Sequence, residues 1–229
     1  MLVKNWMSHT VITIDVESSM EDAAKLMGTY NIRGLPVLRE GSLVGYITDR
    51  EIKRASASEI GRLEYVLGMD RMTTHIKVKE FMIRNPIKIM NYYTVEKAAE
   101  IMMENKLSSA PVMDREGNLK GVVSQTDVFR ALISFIGTRK DGVQFAFQLE
   151  DRPGSIKEVT DVIRMFGGRI ESILSSSYRV PEVFHKVYIR IYGVDESRRQ
   201  ELKSELKSRF SLLYIVEHRG EECEIWENQ

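Results

Sequence analysis

The stretch GNLKGVVSQTD, Gly117 to Asp127, organises the first 136 residues of the chain. It reads as a turn, a short apolar strand and a helix start. Its last four residues set a hydroxyl, Ser124, three places before a carboxylate, Asp127. An earlier stretch, GSLVGYITDRE, Gly41 to Glu51, echoes it, with Thr48 three places before Glu51. Outward from this echo the likeness continues. VKNWMSHTVITIDVESSMEDAAKLM, from Val3, aligns with VKEFMIRNPIKIMNYYTVEKAAEIM, from Val78, at an offset of 75. NIRGLPVLREGSLVGYITDREIKRA then aligns with NKLSSAPVMDREGNLKGVVSQTDVFRA, where one extra residue before Gly117 makes the offset 76. Pro36 pairs with Pro111, Gly45 with Gly121, and Arg54-Ala55 with Arg130-Ala131. A solenoid needs at least ~3 repeats, so two copies predict a pseudo-twofold pair.

Each copy has the same local grammar. A short extended piece, VITI or PIKI, leads to a helix. Ser18 with Glu21 forms a capping-box pattern in the first copy, and Thr94 can cap alone in the second. Met20, Ala23, Ala24 and Met27 share one helix face, as do Val95, Ala98, Ala99 and Met102. Their small central residues imply close approach to a sheet. Two β-rich runs follow, around a Glu-Gly turn, with Pro36 and Pro111 at strand starts where a missing N–H is tolerated. A second helix closes each copy, giving β-α-β-β-α twice. Between the copies, Ser56 to Ile76 reads as a partly helical connector, weakened by Gly61 and Gly68.

GTRKDG, Gly137 to Gly142, is polar and turn-rich and marks a domain boundary. VQFAFQL then alternates as a strand. A helix follows over EDRPGSIKEVTDVIRMFGG, with Pro153 just ahead of it and Ser155–Glu158 as its capping box. Ile156, Val159, Ile163 and Phe166 form its buried stripe, and Gly167-Gly168 ends it. RIESILSSSY and FHKVYIRIY read as an antiparallel pair. A charged helix from Asp195 to Phe210 buries Leu202, Leu206 and Phe210, and SLLYIVEH is the last strand. The order β-α-β-β-α-β is the ferredoxin-like split unit. The polar tail from Arg219 to Gln229 is expected to be loosely held.

Bulk composition narrows the function. A hydrophobic share of 43% with 29% charged residues is ordinary for a soluble globular chain of 229 residues. Lys+Arg 33 balances Asp+Glu 33, so no global field draws nucleic acid or an anionic membrane. Cys223 stands alone and cannot form an internal disulfide; with no signal-peptide core at MLVKNWMSHT, this points to a cytoplasmic protein. His9, His75, His185 and His218 show no metal-ligand spacing, and no Walker A, GxGxxG or GxSxG motif occurs. No metal site and no catalytic residues are expected.

The xPV strands, the Gly-hh-[Ser/Thr]-x-x-[Asp/Glu] endings and the β-α-β-β-α order, met twice in register, resemble the CBS domain. A tandem pair resembles the Bateman module. The third unit, through LEDRPGSI at its first strand–helix junction, resembles an ACT domain. Two CBS motifs followed by such a unit resemble the acetoin-utilisation accessory protein family. The resemblance implies a CBS motif at 1–55, a connector at 56–76, a second motif at 77–136, a linker at 137–142, an ACT domain at 143–218 and a tail at 219–229. The fold class is thus α/β and α+β.

The resemblance also implies an adenine nucleotide (AMP, ADP, ATP or S-adenosylmethionine) as regulatory ligand. A carboxylate at a helix start can accept from both hydroxyls of a ribose diol, a nearby hydroxyl can reach ribose or phosphate, and the helix N-terminus suits phosphate. That assigns Ser124, Thr126 and Asp127 in the second copy, and Thr48, Asp49, Arg50 and Glu51 in the first. The same residues also suit a plain helix cap. The extra methylene of Glu51 is expected to mis-aim its carboxylate, leaving Asp127 the stronger site. In the family, adenine is held by backbone near the first strand and before the proline. Those positions are His9 to Val11 with Leu35, and Asn85, Pro86 and Ile87 with Ala110. Arg33, Arg50 and Arg84 could meet phosphates or be solvated surface charges.

In the third unit, Asp151, Arg152, Pro153, Gly154, Ser155 and Ile156 could hold an amino acid, or form only a tight strand–helix turn. Both domain types resemble dimer-forming families, so a homodimer is expected. The function implied is a non-catalytic ligand-sensing regulator in acetoin or small-carbon metabolism. A dimerisation and partner-docking scaffold with empty pockets is the alternative.

Overall fold

The computed structural model describes residues 1–55, 76–137, 141–219 and 222–227. The expected connector lies, apart from Ile76, outside them. The chain forms two compact units, Met1–Ala131 and Leu132–Gln229.

In the first unit, β1 (Ile14–Asp15), α1 (Met20–Tyr30), β2 (Gly34–Arg39), β3 (Ser42–Thr48) and a helix over residues 49–55 make one copy. α2 (Val78–Phe81) and β4 (Ile83–Arg84) come next. β5 (Ile89–Met90), α3 (Val95–Glu104), β6 (Ser109–Met113), β7 (Leu119–Ser124) and α4 (Gln125–Ile136) make the other copy. The sheets run β1-β2-β3-β4 and β5-β6-β7. In each copy the lead strand pairs parallel with the proline strand, which pairs antiparallel with the next. The helix faces fall as the sequence spacing predicts, with Met20, Ala23 and Met27 buried in α1 and Val95, Ala98 and Met102 in α3. Ala24 is exposed.

The two copies exchange their leading segments. Val3 and Met7, early in the first copy, are buried in the core of the second with Ile89, Ala98 and Val112. Val78, with Phe81 and Met82, packs into the core of the first with Met20, Leu35 and Ile47. Ser8 bridges Val122 on β7, while β4 pairs with β3. This exchange explains the repeated glycine of the motif. A Cβ at Gly121 would lie 2.7 Å from Met7 Sδ and from the Ser8 carbonyl, and one at Gly45 would lie 2.5 Å from Met82 Sδ. At Gly121 the Ser8 carbonyl leaves room only for glycine, whereas at Gly45 the flexible Met82 side chain is met first and the Ile83 carbonyl stands 3.2 Å away.

The expected capping box of α1 is displaced by one residue. Ser19, not Ser18, is the N-cap: its Oγ accepts from Asp22 N at 3.0 Å, and Asp22 Oδ2 accepts from Ser19 N at 3.2 Å. Ser18 N is already spent on the Asp15 carbonyl in the preceding turn. Thr94 caps α3 alone, accepting from Lys97 N at 3.2 Å.

The second unit contains β8 (Asp141–Glu150), α5 (Ser155–Met165), β9 (Arg169–Ser176), β10 (Phe184–Tyr192), α6 (Glu196–Arg209), β11 (Leu212–Arg219) and β12 (Glu222–Glu227). Its sheet runs β12-β11-β8-β10-β9, antiparallel throughout. Phe145, Phe147, Val159, Ile163, Ile189, Leu202 and Leu206 form its core. The sequence expectation differs in three places. The break between units falls within α4, at Ala131, because that helix runs without interruption to Ile136. Gly154, at φ 91°, caps α5, so Ser155 is its buried first residue and makes no cap. Glu158 is instead drawn to Arg152, whose guanidinium donates to both its oxygens at 2.8 and 2.9 Å. The tail expected to be loose supplies β12, paired with β11 from Tyr214 to Arg219; Lys207 lies 4.4 Å over the Trp226 ring and anchors the strand.

Candidate functional site

The two hydroxyl–carboxylate pairs stand on the walls of two clefts in the first unit. One, about 450 Å³, holds Ser124, Thr126 and Asp127 with Thr10, Val11 and Ile12. The other, about 600 Å³, holds Thr48, Asp49, Arg50 and Glu51 with Asn85, Pro86 and Ile87. Each cleft is therefore composite. The strand lead of the first copy reaches the carboxylate of the second, and the lead of the second reaches the carboxylate of the first. The exchange of leading segments makes this crossing, which motif-by-motif reading could not supply.

Both carboxylates are folded back in the same way. Asp127 is 6% exposed, and its Oδ2 accepts from Ser124 N at 2.8 Å and Ser124 Oγ at 2.6 Å. Ser124 Oγ in turn accepts from Asp127 N at 3.3 Å. Glu51 is 5% exposed, and its Oε2 accepts from Thr48 N at 3.1 Å and from Thr48 Oγ1. The extra methylene thus leaves Glu51 on its hydroxyl. The helix-cap arrangement is present in both copies. The two copies differ at the other carboxylate oxygen. Arg130 donates to Asp127 Oδ1 at 3.2 Å, whereas no cation among the described residues pairs with Glu51. The first amide of each following helix is tied to the loop before the proline strand: Asp49 N donates to the Arg33 carbonyl at 3.3 Å and Gln125 N to that of Ser108 at 3.0 Å.

The clefts share a wall. Arg33, Ser108 and Ser109 line both. Inside the wall Tyr46 Oη and Ser109 Oγ lie 2.8 Å apart, buried. Burial pushes the Tyr46 phenol up to about 12, although the Ser109 hydrogen bond works the other way. A Cβ at Gly34 would meet Tyr46 Oη at 2.7 Å and Ser109 Oγ at 2.8 Å, so the wall closes only over glycine.

The other expected residues are placed as follows. Leu35 and Ala110 are fully buried in the cores, and their neighbours Gly34 and Ser109 face the clefts. His9 and Arg84 are exposed and lie outside both linings; Arg84 sits in β4 opposite Gly45. Sequence reasoning missed Asn31 and Lys106, which line opposite clefts at positive φ of 51° and 54°. Both follow a helix end, and that placement was the available signal. It also missed Ser109 and Tyr46, whose meeting no local pattern announces.

At the strand–helix junction of the second unit, Asp151 Oδ1 lies 3.2 Å from His185 Nδ1. His185 is 8% exposed, and its Nε2 is buried without a hydrogen-bond partner. Arg152 is held by Glu158 and, at 3.0 Å, by Glu150. These contacts raise the Arg152 pKa, and the Arg152 hydrogen bond lowers that of Glu158. Among the described residues no three His, Cys, Asp or Glu side chains gather as metal ligands, and no helix is long and apolar enough to cross a membrane. The Cys223 side chain lies outside the described ones.

The family model of the CBS domain matches residues 3–58 and 78–134. A CBS domain-containing protein of Dictyostelium discoideum is 32% identical over 136 residues, covering 59% of this chain and 93% of that protein. The inosine-5′-monophosphate dehydrogenase of Korarchaeum cryptofilum is 33% identical over 126 residues, but this is only 23% of that enzyme, in its CBS part. Among solved structures, a CBS domain is 28% identical with a TM-score of 0.50, covering 58% of this chain and 98% of the other. A CBS domain pair solved with 5′-methylthioadenosine and S-adenosyl-L-methionine is 31% identical, with a TM-score of 0.49, covering 58% and 95%.

Proposed function

Because the chain belongs to the CBS domain family, we propose that it is a non-catalytic ligand-sensing regulator whose two clefts bind adenosine compounds: AMP, ADP, ATP or S-adenosylmethionine. The observation that carries this is the twofold occurrence of a buried carboxylate locked to a hydroxyl at a helix start on a cleft wall. Such a carboxylate is held at fixed geometry before a diol arrives, so little ordering is left to oppose binding. The helix N-terminus beside it favours phosphate. The strand leads at Val11 and Ile87 offer main-chain groups for a purine edge.

The test is the thermal midpoint of wild type and Asp127→Ala with AMP, ADP, ATP and S-adenosylmethionine. Ligand at 100 times its dissociation constant adds about 2.7 kcal/mol, a shift of several degrees. A shift reduced by the substitution supports the reading. No shift with any compound sinks it and leaves a scaffold with empty pockets.

The second unit resembles an ACT domain, and for it we propose amino-acid binding at Asp151 to Ile156. The exposed Asp151 carboxylate could meet an amino group, and Gly154, at φ 91°, lets backbone approach the ligand. Amide-shift titration with the twenty amino acids tests it; unmoved amides at 151–156 would end the proposal. We further propose a homodimer, supported by Phe129, Leu132 and Ile133, which are 59%, 50% and 50% exposed on α4. An acetoin-related setting rests on resemblance alone; growth of a deletion strain on acetoin tests it.

A further inference from the structure

The two clefts carry different charge at equivalent places. The offset of 76 sets Arg50 against Thr126. The offset of 75 sets Lys106 against Asn31, and both are in the left-handed region just past a helix. Arg50 and Lys106 line the Glu51 cleft; Thr126 and Asn31 line the Asp127 cleft. Neither Arg50 nor Lys106 is engaged in an ion pair with a described residue. Lys53, also on the Glu51 cleft, is answered by Asp49 at 3.6 Å, and Arg130, on the Asp127 cleft, is answered by Asp127. Arg33 lines both and cancels from the comparison. What remains is two uncommitted cations beside the Glu51 carboxylate, which has no cation partner among the described residues, so one net positive charge on one side against two neutral polar side chains on the other.

Resting on the ligand reading above, we propose that the clefts divide adenosine compounds by charge. The Glu51 cleft takes the polyphosphate forms, ADP and ATP. The Asp127 cleft takes compounds with less phosphate charge or none, AMP or S-adenosylmethionine, whose sulfonium a cation-rich wall would repel; uncharged adenosine is not sorted. Arg50, at the start of its helix, and Lys106, on the loop across the cleft, can meet a phosphate chain from two sides. Multidentate contact of this kind favours longer chains over a single phosphate. The Glu51 cleft is also the larger, at about 600 against 450 Å³.

The test exchanges the two residues. Full-length Arg50→Thr/Lys106→Asn and the reciprocal Thr126→Arg/Asn31→Lys place at each position a side chain that the other copy already carries on the same backbone. Binding of ATP and of adenosine is followed by amide shifts of residues 48–52 and 124–128, which report the clefts separately. In wild type, ATP moves residues 48–52 at concentrations at least about tenfold below those that move 124–128, and adenosine shows no such preference. The first exchange removes the ATP preference. The reciprocal exchange brings ATP to the Asp127 cleft. The wild-type preference shrinks as salt rises from about 50 to about 300 mM, since the contacts are solvent-exposed. Equal ATP affinity at both clefts, or a preference that survives the first exchange, overturns the partition and leaves the ligand reading standing. No shift with either compound overturns both.

Discussion

The Asp127 and Glu51 clefts come from one repeated pattern, and their differences sort what the fold requires from what it leaves free. Every device that sets the backbone is duplicated. Both copies have the hydroxyl–carboxylate lock, the helix amide tied to the preceding loop, and the glycine under the exchanged segment. The residues aimed into the clefts are not duplicated: Arg50 against Thr126, Lys106 against Asn31, Gly34 against Ser109. Backbone devices are constrained twice, once by each core. Arg50, Thr126, Lys106 and Asn31 meet solvent or ligand and can diverge without cost to the fold; Gly34 and Ser109, packed in the shared wall, cannot.

The shared wall is where the comparison breaks most sharply. Gly34→Val should cost about 2–3 kcal/mol, since its side chain would overlap Tyr46 and Ser109 within a packed wall. The reciprocal Ser109→Gly should cost about 1–2 kcal/mol, by orphaning the Tyr46 hydroxyl. Denaturant midpoints of the first unit's transition measure both, and equal costs would deny the asymmetry of the wall. Next in size, Asp127→Ala and Glu51→Ala should each lose about 1–2 kcal/mol as helix caps. Asp127→Ala should cost no less than Glu51→Ala, because it also strips Arg130 of its partner. A clearly larger loss at Glu51 would show that the two locks are not equivalent.

Two smaller effects depend on pH. Tyr46 has its folded pKa raised to about 12 from 10.0. Its contribution is therefore complete below pH 10 and is lost as pH rises from about 10 to about 12. Tyr46→Phe should remove that alkaline slope for about 1 kcal/mol of stability at neutral pH. Asp114, in the turn where the second copy carries its extra residue, is held at about 2. Burial opposes this, but hydrogen bonds from Asn118 and the Lys120 ammonium outweigh it. Its contribution is present above 3.8 and lost as pH falls toward about 2. Acid titration followed at the Asn118 amide should show this step, and Asp114→Asn should abolish it.

Much of the site was legible in the chain. Ser124 with Asp127 and Thr48 with Glu51 act within three residues of each other, and contacts that short are written into local spacing. The stripes Met20–Ala23–Met27 and Val95–Ala98–Met102 follow from helical period alone. The cap of α1 was misplaced because Ser18 and Ser19 are adjacent and only the turn at Asp15 chooses between them. Ser155 makes no cap because Gly154 takes that position, and its expected partner Glu158 is held by the long-armed Arg152, whose competition a local pattern does not register.

The repeat, the element order within each copy and the positions of the carboxylate locks follow from the order of residues alone, because these rest on neighbours along the chain. Folding in three dimensions sets which strand lead faces which carboxylate, brings Tyr46 to Ser109 across 63 positions, and places Arg33 on the lining of both clefts. The reason is the exchange of leading segments: it is set by which core buries Val3 and which buries Val78. Burial of apolar area has no direction along the chain and leaves no local spacing to read.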